Sequence, residues 1–421
     1  MSVSSLSLSN SVETRKDIIS ERLLIIYILL IGTLTFTNNS AASPIALVAL
    51  FLSCFYNKYL STAIYISTLI ISPGFSAIQV FLSSFVISII GITILNNLGK
   101  KTIMVFVATS MFVFWMLMGA AFGTHTQMVT ILLFAFRLYL VVFIIQMVIN
   151  TNEKLILNSL LYSGLAIAAF VGYNFFTGNV DAFLSDQGRL EYQDNIKTLA
   201  TSIVVPIFIS LNKLLDKESR KKKVEFVFYG AILIICLPVL LLTYTRGVTF
   251  GLIIATFLLM LFTQKRFKFS YFVIYLLVAV VVAFIAYRLE MSQELWFDHI
   301  EGGNGRTDIY KMHYNYMLSQ GLGTVFWGYG SDSMQDIIGW NTHSTILAYF
   351  FHFGVGGILF ALFEILITVI GLFKKRTYLS FYLCLFILSF VMFSGHGGYD
   401  SFLYYVIMGL CLGMFYKFER R

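Results

Sequence analysis

The chain has 421 residues, 58% hydrophobic and only 12% charged, with a formal net charge of +8 and a mean hydropathy of +0.83. That balance excludes a soluble globular protein. The apolar residues come in blocks of ~20, the length a helix needs to cross ~30 Å of hydrocarbon. The short alternating segments of a membrane β-barrel are not seen. The expectation is an all-α polytopic integral membrane protein, a single transmembrane domain over 1–421.

In chain order the apolar runs predict spans at 23–38, 41–56, 59–73, 77–96, 102–122, 127–149, 155–176, 198–213, 225–244, 248–263, 271–287, 343–370, 377–394 and 402–416. That makes about fourteen crossings. The Ser-rich start, followed by an apolar run without a small-residue cleavage site, predicts that the first span acts as its own insertion signal. All four cysteines (Cys54, Cys236, Cys384 and Cys411) fall inside apolar blocks. They read as small core residues rather than as a disulfide framework or a thiolate metal site.

Positive charge orients these spans. With both termini in the cytoplasm, Arg137 lies within a span and Arg189, Lys197, Arg246, Arg288, Arg306 and Lys311 lie outside; every other Lys and Arg falls inside. Each inner loop then carries at least one, as the positive-inside rule requires. The basic balance is thereby an orientation signal facing anionic lipid, and no nucleic-acid partner is expected.

Two outer segments exceed tight turns, 177–197 and 288–341. No internal repeat is evident, which weakens readings built on two related transporter halves. Within the longer loop Ile309, Tyr310, His313, Tyr314, Met317 and Leu318 recur with helical period. They predict a short amphipathic helix lying along the membrane surface, capped by Asn304 or Thr307 and stopped at Gly321. Trp296, Trp327 and Trp340 suit the interfacial belt. The turn from Trp327 to Ser331 has no role at this level.

The outer arginines run against the charge rule and need their own account. Arg246, in Thr243-Tyr-Thr-Arg-Gly247, sits where one span ends and the next begins. A guanidinium there, beside a glycine that admits a ligand to the backbone, suits a lipid-linked phosphate, or else serves as a snorkelling anchor. Arg306 in Gly305-Arg-Thr-Asp308 is a bidentate phosphate donor or loop charge paired with Asp308, and Arg189 follows Gln187-Gly188 in the other outer loop. Three such arginines facing one side form the clamp a pyrophosphate wants. His343 is placed at interface depth as a general base for a sugar hydroxyl, against the plainer reading of an interfacial hydrogen-bonding histidine. His352, nine residues on, faces nearly the opposite way and reads as packing. Arg137, in mid-span, is a functional candidate by default, or a structural pair. Glu364, close to an inner helix end, is expected to snorkel. No set of His, Asp, Glu or Cys has metal-ligand spacing; His396 and Asp400 are too sparse.

Several of these stretches resemble the O-antigen polymerase and ligase superfamily of bacterial envelopes. They are Thr243-Tyr-Thr-Arg246-Gly247, Gly305-Arg306-Thr-Asp-Ile-Tyr310, the turn Trp327-Gly-Tyr-Gly330, and His343-Ser344 followed, after nine intervening residues, by Gly354-Val-Gly-Gly357. They cover roughly the last 180 residues, and Arg189 with Asn195 resembles the family's earlier outer-loop arginine. Tyr310 departs from relatives, which often carry Trp there. The resemblance implies a GT-C-like, metal-independent glycosyltransferase without cofactor. It would act on undecaprenyl-pyrophosphate-linked glycan at the periplasmic face of the bacterial inner membrane, in lipopolysaccharide biosynthesis. Arg246, Arg306 and Arg189 would hold the pyrophosphate, and His343 would deprotonate or orient the acceptor hydroxyl. Arg137, Tyr310 and Ser344 would contact the substrate. Membrane lipid and a chain-length regulator are the further expected partners. An O-antigen polymerase is favoured over a ligase transferring glycan to lipid A-core; a lipid-linked-oligosaccharide flippase is the reading from another class.

Overall fold

The computed structural model describes residues 3–37, 40–72, 100–122, 128–150, 152–178, 196–216, 222–243, 245–263, 306–330, 344–374, 377–394 and 401–419. Fourteen helices and no strand element occur among them. In order they are α1 (Val3–Phe36), α2 (Ala42–Tyr56), α3 (Lys58–Ile71), α4 (Lys100–Phe122), α5 (Met128–Ile149), α6 (Glu153–Phe176) and α7 (Ile196–Leu215). There follow α8 (Lys223–Leu242), α9 (Arg246–Thr263), α10 (Arg306–Ser319), α11 (Leu322–Trp327), α12 (Thr345–Phe373), α13 (Thr377–Ser394) and α14 (Phe402–Glu419).

Every predicted span that falls on described residues is a helix, although α1 starts far earlier than the apolar run. The spans at 77–96 and 271–287, Arg189, His343 and both ends of the long loop lie outside the described residues. Among the described residues five stretches are long and apolar enough to cross a membrane: Asp17–Phe36, Thr102–Ala121, Glu153–Phe176, Lys223–Leu242 and Thr345–Phe373. By contrast α2 and α3, of 15 and 14 residues, rise only about 22 and 21 Å.

The chain divides into two compact units, Met1–Leu98 with Gln146–Thr245, and Gly99–Ile145 with Arg246–Arg421. In the first, α3 and α7 form the interior. Leu199, Ala200, Ile203, Val204, Ile207 and Phe208 of α7 are fully buried, with α7 packed against α6 and α8. A Cβ on Gly164 of α6 would stand 2.2 Å from the Ser202 carbonyl oxygen. Small residues of this kind let helices pack where lipid removes the hydrophobic drive between them.

Polar contacts gather at one end of this unit. Asn57 Nδ2 donates to Ser20 Oγ at 2.9 Å, and Asn150 Nδ2 to the Tyr59 hydroxyl at 2.5 Å. Lys154 pairs with Glu21 at 2.6 Å. Three stretches predicted to lie on the same side, around Glu21, Lys58 and Lys154, are thus tied together.

In the second unit α13 packs against α9, α12 and α14. Glycines again mark close crossings: a Cβ on Gly409 of α14 would stand 2.8 Å from Ile144 Cβ. Outward faces stay apolar, with Met111 of α4 69% and Leu359 of α12 60% exposed. Such faces belong against hydrocarbon.

Candidate functional site

The helix that follows the proposed base is broken. Ser344, in extended conformation, is the N-cap of α12, its hydroxyl accepting from the Leu347 amide at 3.5 Å. Helix runs through Phe353 and is interrupted at Gly354, with φ +59° and ψ −140°. In a straight helix residues 349 and 357 would be ~12 Å apart. Here a Cβ on Gly357 would stand 2.1 Å from the Tyr349 carbonyl oxygen, and the Tyr349 and Phe360 ring centroids are 5.6 Å apart. The chain therefore turns back on itself at Gly354. The single straight span expected from His343 is corrected to a short capped limb, a glycine turn, and a crossing segment from Val355 to Phe373, about 28 Å long.

The turn leaves carbonyls that a continuous helix would have satisfied, and the long loop and α4 supply donors. Tyr329 N–H donates to Phe351 O at 2.7 Å, and Trp115 Nε1 of α4 donates to Phe353 O at 3.1 Å. Gly328 and Gly330, with φ of +93° and +120°, carry the loop across the break. A Cβ on Gly328 would stand 2.3 Å from His352 O, and one on Gly354 would stand 2.4 Å from Phe326 O. His352 is buried at 4% exposure, and its Nδ1 lies 2.5 Å from Gly330 O. It does more than fill space, since it hydrogen-bonds the loop. The turn Trp327-Gly-Tyr-Gly330, without a role in the sequence reading, is the part that docks on the break.

Above it, α10 confirms the helical period but turns its buried side to protein. Ile309, His313 and Met317 are buried at i, i+4 and i+8, while Tyr314 and Leu318 are about half exposed. His313 meets Phe351 edge-on at 5.9 Å, Tyr316 lies 5.4 Å from Tyr329, and Tyr329 lies 5.3 Å from Phe351. Part of the face expected to lie on lipid is thus seated instead on the first limb of α12. Gly321, with φ +96°, follows its end as expected.

The remaining candidates fall as follows. Arg246 is the first residue of α9 and Arg306 the first of α10, so each occupies a helix N-terminus, where backbone N–H groups and the dipole favour anions. Arg246, Arg306, Ser344, Tyr310 and Arg137 belong to one compact unit. Tyr310 and Arg137 are partly buried, and Phe134, one turn before Arg137, meets Phe353 at 4.8 Å with the rings tilted.

Glu364 does not snorkel. It is 2% exposed, and its Oε2 accepts from the Tyr404 hydroxyl at 2.5 Å. Trp115, Tyr404 and Gly356 escaped the sequence reading, and only Gly356 carried a signal, as a member of the Gly354-Val-Gly-Gly357 run. No family model and no curated relative matches this chain.

Proposed function

We propose that the protein is a glycosyltransferase of the outer membrane face that polymerises undecaprenyl-pyrophosphate-linked repeat units of O-antigen or a related polysaccharide. One observation carries the reading. Arg246 and Arg306, both expected on the outer side, are each the first residue of a helix of the same unit, and arginine and a helix N-terminus each favour phosphate. The resemblance of these stretches to the polymerase and ligase superfamily supports the same chemistry.

In this reading Arg246 and Arg306, joined by Arg189, neutralise the pyrophosphate as its bond to the anomeric carbon breaks. His343 takes the proton of the acceptor hydroxyl as the new glycosidic bond forms. The short limb that Ser344 caps follows His343 directly in the sequence, and the docked loop fixes that limb. Tyr310 and Arg137 line the approach of the glycan and its carrier. The overall architecture is then GT-C-like, with about fourteen crossings, cytoplasmic termini, and a chain-length regulator as partner.

Glycan profiling of cells lacking the protein tests it. Core bearing a single repeat unit is the expected outcome. Lipid-linked polymer accumulating undelivered would replace the polymerase by a ligase, and repeat units trapped on the cytoplasmic face would replace it by a flippase.

A further inference from the structure

The second unit carries a half-open cavity of about 500 Å³ that the proposed reaction does not use. It opens between α4, α5, α12, α13 and α14, and Met104, Trp115, Gly356, Thr368, Met408 and Tyr416 mark its extent. The size is that of small-molecule sites, roughly 300–1,000 Å³. The polar side chains on its wall among the described residues are Thr109, Trp115, Glu364, Thr368 and Tyr416. Of these, Trp115 donates to Phe353 O and Glu364 accepts from Tyr404. The wall therefore suits a hydrocarbon chain rather than a polar solute.

Its position says where such a chain comes from. Met104 lies four residues after Lys100, Thr368 six before Lys374, and Tyr416 beside Lys417. At 1.5 Å per residue the lower end of the cavity is thus within roughly 10 Å of three lysine-bearing helix ends. Trp115 and Gly356 mark the other end, 15 residues after Lys100 and 18 before Lys374. Lys374 Nζ stands 3.9 Å over the Phe415 ring, next to Tyr416 on the cavity wall, which brings the basic ends of α12 and α14 together at the mouth. Lys101, Lys375, Arg376, Arg420 and Arg421 add positive charge to the same stretches, against Glu419.

We propose that this cavity takes one acyl chain of an anionic phospholipid from the leaflet at the lysine-bearing end, with the headgroup phosphate held at Lys374 and Lys417. Basic clusters at the ends of membrane helices attract anionic headgroups, and the mostly apolar lining beside them accepts a chain, with Glu364 Oε1 already buried in the wall.

The test uses the delipidated full-length protein in detergent. It is titrated with phosphatidylglycerol carrying brominated acyl chains and with phosphatidylcholine bearing the same chains. Bromine quenches tryptophan on contact, and Trp115 lines the cavity. Brominated phosphatidylglycerol should quench a fraction of the fluorescence that Trp115→Phe removes. It should do so at roughly tenfold lower concentration than the phosphatidylcholine. The double variant Lys374→Gln, Lys417→Gln should erase that preference while quenching at saturation persists. Equal quenching by the two lipids with the unaltered chain would overturn the proposal, and that comparison needs no variant. Quenching that Trp115→Phe leaves unchanged would place the chain elsewhere and overturn it too. So would a brominated alkane that quenches as well as the anionic lipid, by making the cavity a hydrocarbon site indifferent to headgroup.

Discussion

Gly354 and Gly328 interlock across the break in α12. A methyl group on Gly354 would stand 2.6 Å from the Gly328 amide nitrogen, and one on Gly328 would stand 2.6 Å from the Phe353 nitrogen. Both residues have positive φ, +59° and +93°. Neither backbone could approach the other with any side chain present. The nine-residue spacing from Ser344 to Gly354 is the length of the limb this contact holds in place.

Gly354→Ala should therefore cost at least the ~1–3 kcal/mol of a residue forced into a glycine-only conformation, with steric overlap added. Gly328→Ala should act alike, and the pair should be less than additive because each change breaks the same contact. Thermal melting in detergent measures the loss. Limited proteolysis should show faster cutting after Lys311 once the loop undocks. A Gly354→Ala chain as stable and as resistant as the unaltered one would rule out the interlock.

Tyr404→Phe removes the donor to Glu364 Oε2 while leaving the ring that packs 5.5 Å from Phe386. A buried carboxyl group deprived of its partner should destabilise the unit by about 1–3 kcal/mol. Glu364→Gln in the same background should recover part of that loss, since a neutral amide is less costly to leave unpaired. Equal melting temperatures for the Tyr404→Phe chain and its parent would assign Glu364 another partner.

These two sites mark where the sequence was legible and where it was not. The helices were readable because apolar blocks are local, and Gly321 was readable as a stop because a positive φ beside a helix end favours glycine. The motif around Ser344 and Gly354 stood out as a pattern, but its meaning depends on Gly328, which is far away along the chain. Glu364 was misread for a related reason. Ten residues before Lys374 it has the reach to snorkel, and only the hydroxyl of Tyr404, 40 residues further on, shows that it turns inward. His352 read as packing for the same reason, since its bond to Gly330 O, 22 residues earlier, is invisible on a helical wheel.

The polar end of the first unit makes a topological prediction. Since Asn57 bonds Ser20 and Lys154 pairs with Glu21, cysteines placed at Tyr56 and Thr151 should react with a membrane-impermeant thiol reagent from the same face. A cysteine at Lys311, exposed on α10, should react from the opposite face. Labelling of spheroplasts and of inverted vesicles separates the two. Reaction of all three from one side would undo the charge-based orientation.

The site itself is tested by changes that keep charge or fold while removing chemistry. Arg246→Lys and Arg306→Lys retain a cation but lose the planar fork. If the arginines clamp a pyrophosphate, each should lower polymer formation by roughly tenfold or more, as losing a transition-state donor does. A snorkelling anchor would tolerate lysine without loss. His343→Ala should lower the rate by roughly 10²–10⁴, the contribution of a general base. It should do so with normal insertion and melting, which separates a lost base from a misfolded chain. The Ser344→Ala chain discriminates further. It removes the hydroxyl that accepts from Leu347 and should cost about 0.5–2 kcal/mol of stability. Ser344→Asn, which caps as well, should restore the melting temperature. If activity returns with it, Ser344 positions His343 through the limb; if activity stays lost, its hydroxyl meets the substrate directly. Full polymer length and amount from His343→Ala would remove the base from the mechanism and leave the arginines as a binding site alone.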